Sequence, residues 1–368
     1  MNVGDVIHGY RVVTEPSSAG AGRCQWSFAE KNGVAYHLKQ FLSPKYPELG
    51  APGSERGKAR QRERCEAFER RHRAIMRSTR SVSVGGGNLI VATDFFRDGP
   101  TYFKVTERID AIALPEPAEL DPKQRAVLLK TLTHSVEILH RHDIVHGDLK
   151  PANLLVRSTT GGLYAAKLID FDDSYFVDDP PPASEIVGDP THYSPELLSY
   201  VKAQPDGDPS TLGTASDMFA LGLMFHHLLV GRQPLAAGED RFPCEVLAQG
   251  GELELADELS DAHAELIGKL LAVAPPDRPA AGEVLATLNG MPVPARAAGT
   301  ARPRPRPDAP SPPPAATSTA TGRLRVNFPS RRPAAAARAP EPPRPPDVSP
   351  RLHLGPGFKT RPPDPPEE

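Results

Sequence analysis

Near the middle of the chain, Ile144-Val145 leads into His146-Gly147-Asp148-Leu149-Lys150-Pro151-Ala152-Asn153, and Leu154-Leu155-Val156 leads out. Burial of the apolar residues on both sides fixes the ends of a polar stretch. The segment is therefore expected to be a loop clamped between two core anchors. It carries a carboxylate at Asp148, an ammonium at Lys150 and a carboxamide at Asn153. A carboxylate accepts a hydroxyl proton, an ammonium neutralises a phosphate, and both side-chain oxygens suit a hard cation. Phosphoryl transfer uses such a set, but it also requires a grip on nucleotide phosphates and a further metal-holding oxygen.

Composition divides the chain in two. Residues 291–368 hold 22 of the 43 prolines and 13 Lys+Arg against 6 Asp+Glu, leaving 30 and 40 for residues 1–290. A mildly acidic body, large enough for a substantial core, thus precedes a basic tail rich in Pro, Ala and Arg. Without apolar periodicity the tail is expected to be disordered. Its islands Leu324–Phe328 and Leu352–Phe358 suit the docking of a soluble regulatory partner. The positive charge lacks the aromatic interleaving that would favour nucleic acid, so nucleic-acid binding is not expected. Cys24, Cys65 and Cys244 lack metal-ligand spacing, which argues against a disulfide framework or zinc site. Met1–Tyr10 has no signal-peptide pattern, and no apolar run approaches the ~18–20 residues that span a bilayer. A soluble, cytoplasmic protein without membrane contact is the expectation.

Gly9–Thr14 and Cys24–Ala29 read as strands flanking a run of small residues, and Lys31-Asn32-Gly33 as a hairpin turn into Val34–Phe41. Such a loop between strands can lay backbone N–H groups over phosphates; an ordinary hairpin loop is the other reading. Alternation in Val34–Phe41 puts Lys39 on one face with Ala35 and His37. A basic helix is expected over Arg60–Arg77, with Cys65, Phe68, His72, Ile75 and Met76 facing one way. Its Glu63, Glu66 and Glu69 can serve simply as intrahelical partners for the arginines. Two more strands, Leu89–Phe96 and Thr101–Ile109, surround the turn Arg97–Pro100. From Pro122 the pattern becomes helical, and Leu128, Leu132, Val136 and Leu139 form a stripe running into the central loop. A strand over Leu163–Ile169 then delivers Asp170-Phe171-Asp172-Asp173. A buried helix Ser216–Val230, capped by Ser216, and helices over Glu252–Leu271 and Ala280–Leu288 complete the pattern.

Taken in order, these motifs resemble the eukaryotic-type (Hanks-type) Ser/Thr protein kinases, in their bacterial form, from about Tyr10 to Leu288. The carriers are Lys39 in its strand, His146–Asn153, Asp170-Phe171-Asp172, Ser194-Pro195-Glu196, Ser216–Gly222 and Asp277-Arg278-Pro279. The resemblance implies an α+β, bilobal protein-kinase fold over 9–290, with a β-rich N-lobe (about 9–108), a mostly helical C-lobe (about 109–290) and a tail (291–368). It implies ATP with Mg²⁺, or Mn²⁺ in its place, and a protein substrate. Asp148 matches the residue that accepts or orients the substrate hydroxyl proton, and Lys150 the one that neutralises the γ-phosphate. Asn153 and Asp170 match the metal-holding positions, and Lys39 the strand lysine on the α- and β-phosphates. Glu69 is the preferred helix partner of Lys39, with Glu66 as the alternative. Ser17, Ala19 and Gly22 fall on the glycine loop, and Thr106 or Glu107 opens the hinge for adenine. Glu196 and Arg278 match a buried ion pair, and Asp217 a cap on catalytic-loop amides. His146 reads as a packed anchor.

Three positions depart from the family pattern. Ser17 and Ala19 replace the first two loop glycines and visit positive φ less readily. Asp172 stands where the metal-binding motif has Gly, and should restrict the backbone flip that Gly allows, keeping Asp170 turned into the site. Gly147 replaces the Arg before Asp148, giving a non-RD loop. Besides an active kinase, a pseudokinase acting as a nucleotide-sensing scaffold is open. A small-molecule phosphotransferase is disfavoured by Lys150, Ser194-Pro195-Glu196 and Asp277-Arg278-Pro279. The replaced Arg ordinarily pairs with a phosphate on the activation segment. Fully dephosphorylated protein should therefore remain active; loss of all activity on phosphatase treatment would contradict this.

Overall fold

Short runs of β-branched and aromatic residues separated by turn chemistry favour an antiparallel sheet at the N-terminal end. The strands are β1 (Val6–Ile7), β2 (Tyr10–Val12), β3 (Cys24–Lys31), β4 (Val34–Phe41), β5 (Ala92–Asp98) and β6 (Thr101–Glu107). They pair in the order β1-β2-β3-β4-β6-β5. The computed structural model describes residues 1–292, except 19–23, 49, 51, 84–87, 110, 113, 160, 187–189, 204–206 and 237–240. The Pro-rich tail from residue 293 on, with its two islands, lies outside the described residues.

Turn residues set the strand boundaries. Asn32 and Gly33 both take positive φ, 53° and 75°, the geometry whose twist suits a two-residue hairpin. β3 and β4 consequently pair in unbroken register from Lys31↔Val34 to Cys24↔Phe41. The single strand expected over Gly9–Thr14 is instead the second arm of a tighter hairpin. His8 and Gly9 turn the chain at φ 53° and 87°, and Ile7 pairs with Tyr10.

One sheet face buries Ile7, Tyr10, Val12, Leu38, Phe96, Phe103 and Val105 together. The other packs Cys24, Phe41, Phe95 and Tyr102 against Cys65 of helix α1 (Glu55–Ser83). This helix extends beyond the expected Arg60–Arg77 at both ends. Glu55 in its first turn and Arg80 in its last complement the helix dipole.

The second lobe is mostly helical. Asp121 caps α2 (Pro122–His140): its Oδ1 accepts from Gln124 N at 2.8 Å while its own N donates to Gln124 Oε1 at 2.9 Å. The predicted stripe Leu128, Leu132, Val136 and Leu139 is buried. Short strands β7 (Ile144–Val145), β8 (Leu154–Ser158), β9 (Tyr164–Leu168) and β10 (Tyr175–Phe176) then frame the central loop, β7 pairing with β10 and β8 with β9. Ile144, Val145, Leu149, Leu154 and Val156 are all buried, so the clamp read from sequence is present.

Helices α3 (Pro195–Lys202) and α4 (Thr214–Val230) follow, with α4 buried on nearly every side. It begins two residues before the expected Ser216, after Gly213, and Ser216 is no cap. The Ser216 hydroxyl is drawn away to donate to Glu196 Oε1 at 2.9 Å. Strand β11 (Leu235–Ala236), helix α5 (Pro243–Ala248), strand β12 (Leu253–Glu254), α6 (Asp261–Leu270) and α7 (Ala281–Gly290) complete the lobe. The helix expected over Glu252–Leu271 is thus split. Its first part pairs with β11, and α6 starts only where Ser260 Oγ accepts from His263 N. No described helix is long and apolar enough to cross a membrane.

One buried ion pair ties α3 to the segment before α7. Arg278 donates from Nη1 to Glu196 Oε1 (2.7 Å) and from Nη2 to Oε2 (2.8 Å), and also to the carbonyls of Ala215, Ala272 and Val273. Burial works to raise the Glu196 carboxyl, but its bonds to Arg278 hold it below the ordinary value. The pair's contribution is therefore complete above the ordinary glutamate pKa and is lost as pH falls through the lowered one. Arg278→Ala should destabilise the lobe by about 3–5 kcal/mol, since it strands a buried carboxylate. Denaturant unfolding measures this, and a loss below about 1 kcal/mol would contradict the assignment.

Candidate active site

The central loop hangs from α4. Asp217 Oδ2 accepts from His146 N at 2.7 Å and from His140 Nε2 at 2.9 Å, and Oδ1 accepts from Gly147 N at 3.1 Å. Burial opposes the Asp217 charge, yet these bonds keep its carboxyl below the ordinary value. His146 is fully buried, accepts from Asp148 N at Nδ1 (3.3 Å) and donates from Nε2 to the Ile169 carbonyl (3.1 Å). It is a packed anchor that joins the loop to the strand delivering Asp170. Ile169 N donates in turn to the Asn153 carbonyl at 3.1 Å, so both backbone groups of Ile169 face the loop.

Within the loop, Asp148 Oδ2 receives Lys150 Nζ at 2.7 Å and Asn153 Nδ2 at 2.9 Å. Asn153 Nδ2 also donates to the Asp148 carbonyl at 2.8 Å. Across the cleft, Lys39 Nζ lies 2.9 and 2.8 Å from the two oxygens of Asp170. The Asp170 backbone is left-handed, φ 63°, at a cost of roughly 1–2 kcal/mol that its ion pairs offset. Its carboxylate is turned into the site, the orientation expected from Asp172 beside it.

The surroundings of Lys39 differ from the sequence expectation. Glu69 does not reach it: both contacts of Glu69 Oε1 are to Arg73, with Nε and Nη2 at 2.9 Å, as an i,i+4 pair on α1. The intrahelical reading of this glutamate is the observed one. The helix face turned to the site carries His72 instead, because the buried stripe runs through Cys65, His72, Ile75 and Thr79. The second carboxylate at Lys39 is Asp172, whose Oδ2 lies 2.5 Å from Nζ. Asp172 also pairs with Lys104, which stands directly opposite Lys39 in the β4–β6 register and is 3.4 Å from Asp170 Oδ1.

These charges stabilise one another. Burial opposes the Lys39 ammonium, but Asp172 and Asp170 hold its pKa well above the ordinary range. Burial likewise opposes the Asp172 charge, and Lys104 with Lys39 holds that carboxyl well below the usual range. Burial pushes His72 down to about 4, so its ring is neutral near pH 7. Its Nδ1 donates to the Phe68 carbonyl at 2.9 Å, which leaves Nε2 bare and 3.8 Å from Asp172 Oδ1.

Lys104 and His72 went unassigned at sequence level, although a signal for the lysine existed. Alternation in Thr101–Ile109 puts Lys104 on one face with Tyr102 and Thr106, and strand register makes it the face that carries Lys39. Thr106 lines the same cavity as His72, Lys104 and Asp170. It pairs with His37, and Glu107 with Tyr36, at the end of β6. Ser17 exchanges both backbone bonds with Trp26 at 2.9 Å. Ala19 and Gly22 lie outside the described residues.

The family model described as "Protein kinase domain" matches residues 58–288. The chain belongs to the protein kinase family. That match begins inside α1, so Lys39 and its strand fall before it. Serine/threonine-protein kinase 17A of Oryctolagus cuniculus is 32% identical over 164 residues, 43% of this chain and 38% of that protein. Serine/threonine-protein kinase PkaA of Streptomyces coelicolor is 30% identical over 224 residues, 60% of this chain and 37% of that protein. Ribosomal protein S6 kinase alpha-2 of Homo sapiens is 27% identical over 208 residues, 54% and 27% of the two chains. The match thus spans well under half the length of each relative.

In this kinase-family loop, Gly147 is required by shape. Its φ is +79°, and a Cβ there would sit 2.5 Å from the Asp173 carbonyl oxygen and 3.4 Å from the Tyr175 ring. Burial, then the charges of Asp148, Asp172 and Asp170, push the Asp173 carboxyl itself up to about 7. The close approach of two backbones fixes the loop against the segment after Asp170. Gly147→Ala and Gly147→Arg should each cost at least about 1–3 kcal/mol, because the Cβ causes the clash. An arginine accepted without loss in a denaturant titration would contradict this.

Proposed function

We propose that this chain is an ATP-dependent Ser/Thr protein kinase whose catalytic unit spans about 9–290, with 291–368 as an extension. The observation that carries the reading is the pairing of two constellations through Ile169. On one side Lys150 and Asn153 clasp Asp148; on the other Asp170 faces Lys39. Both contacts to Asp148 fall on Oδ2, leaving Oδ1, without a partner among the described residues, to accept the proton of a substrate hydroxyl. Lys150, beside that carboxylate, is placed to offset charge on a γ-phosphate. Lys39 serves the inner phosphates. The names of the relatives, two of them serine/threonine-protein kinases, favour a protein acceptor.

The donor chemistry suits Mg²⁺ or Mn²⁺. Asn153 spends its amide nitrogen on Asp148, which leaves its oxygen, and the Asp170 carboxylate side chain is 28% exposed. Asn153 and Asp170 would hold the ion, which habitually takes one or two protein oxygens and completes its shell with phosphates and water. When bound it would neutralise charge on the transferring group. Ser17, Ala19 and Gly22 would cover the phosphates, and Thr106 or Glu107 would meet adenine from the hinge.

Three buried free thiols fit a reducing, cytoplasmic setting. A soluble partner docking on the extension would supply the input. Gly147 removes the side chain that would read an activation-segment phosphate, so the enzyme works without one.

The test is transfer of γ-phosphate from ATP to a generic protein substrate with Mg²⁺ or Mn²⁺. Asp148→Asn should lower the rate about 10²–10⁴-fold while ATP binding persists, and Lys39→Met should weaken ATP binding. ATP binding without any transfer by the wild type under either metal would instead identify a nucleotide-sensing scaffold.

A further inference from the structure

The Lys39 ammonium needs a carboxylate that stays with it, and α1 does not provide one. Glu69 is tied to Arg73, and the helix position facing the cluster holds His72, buried and without a hydrogen bond at Nε2. We propose that Asp172 supplies the carboxylate that orients Lys39, in place of one from helix α1, and that Lys104 is its charge-balancing partner. This rests on the kinase reading of the site.

Charge counting supports the assignment. Lys39 and Lys104 stand opposite each other on neighbouring strands, with side chains only 9% and 10% exposed. Two desolvated ammonium groups side by side repel, and a single carboxylate leaves the pair with net positive charge. Asp170 and Asp172 together bring the cluster to neutrality. Asp170 is the more exposed of the two, at 28% against 13%. Once Asp170 is engaged with a metal, Asp172 is the remaining carboxylate within reach of both lysines. It is also the more enclosed group, surrounded by Lys39, Lys104 and His72.

Geometry assigns the consequence. In this chain the carboxylate rides on the Asp170–Asp173 segment, whose backbone presses on Gly147 of the central loop. Orientation of Lys39 is therefore coupled directly to the segment that carries Asp170 and to the loop that carries Asp148. A shift of α1 leaves the ion pair intact. Asp172 is in this sense a positioning residue, acting through Lys39, and Lys104 acts through Asp172. The side chain at 172 completes a buried charge balance.

The experiment compares full-length wild type with Asp172→Asn, Asp172→Gly, Glu69→Gln and the double variants His72→Glu/Asp172→Gly and Lys104→Met/Asp172→Gly. Affinity for Mg²⁺-ATP is read by calorimetry, KM and kcat by phosphate transfer, and folding by thermal melting. Asp172→Asn and Asp172→Gly should weaken ATP binding about tenfold or more, with the loss showing in KM for ATP. His72→Glu/Asp172→Gly should recover most of it, because the carboxylate returns from the helix side. Lys104→Met/Asp172→Gly should melt above Asp172→Gly, since it removes the stranded ammonium. Glu69→Gln should bind ATP as the wild type does. Unchanged affinity in folded Asp172→Asn, or a loss in Glu69→Gln as large as in Asp172→Asn, overturns the proposal. So does failure of His72→Glu to recover binding in a folded double variant. A wild type that binds ATP without transferring phosphate sinks only the kinase reading, because the affinity comparison still judges Asp172. A wild type that binds no ATP overturns both.

Discussion

A single buried carboxylate, Asp217, carries the geometry of the central loop. It sits in the first turn of a helix buried almost all round, and its two oxygens take the amides of His146 and Gly147 and the ring of His140. Those amides have no strand or helix partner, and leaving them unpaired in the interior would cost on the order of 1–3 kcal/mol each. The loop therefore has one low-energy path over the end of α4. Once that path is set, His146 reaches Ile169, and Ile169 delivers Asp170 opposite Asp148.

The same logic of compensated burial recurs between the sheet and the C-lobe. Lys39 and Asp172 keep their charges there through the set they form with Lys104 and Asp170, because burial alone would force each of the two toward its neutral form. The cluster joins sheet to C-lobe through charge, whereas the apolar clusters stay largely within their own lobes. Glu196 and Arg278 apply the rule a third time, with the guanidinium satisfied by one carboxylate and three carbonyls. Asp217, Asp172 and Glu196 each feel burial as the largest opposing influence and are held ionised by named partners. Asp173 is the contrast: burial, with Asp148, Asp172 and Asp170 around it, moves its carboxyl up to about 7.

Local patterns announced the strands, the helix stripes and the clamp around the central loop because period and turn chemistry act over a few residues. Asn32-Gly33 defined its hairpin, and Asp121 with Gln124 started α2 as such pairs do. Boundaries failed where a side chain had a distant competitor. Ser216 looked like a cap, yet its hydroxyl goes to Glu196 some twenty residues away. The segment before Ser260 looked helical, yet it pairs with β11. Glu69 looked like the partner of Lys39 because the resemblance asks for a helix glutamate there, whereas the rotation of that helix against the sheet cannot be read along the chain. Packing of Cys65, Ile75 and Thr79 fixed that rotation and aimed His72 inward.

What the sequence determined by itself was the inventory and its order: a lysine strand, a loop bearing Asp148, Lys150 and Asn153, the Asp170 motif, and the residues of the buried ion pair. Spacing along the chain was enough for this, since each motif is shorter than the element that holds it. Tertiary structure alone decided which charges face each other. It put Lys104 across from Lys39 through strand register, replaced a helix carboxylate by Asp172, and pressed the Asp173 carbonyl against Gly147. The physical reason is that ion pairing and steric exclusion act across space at 2.5 to 4 Å, between residues up to 133 positions apart in the case of Lys39 and Asp172. The chain's central loop could be read from its own residues; the partners that give it meaning had to be folded into place.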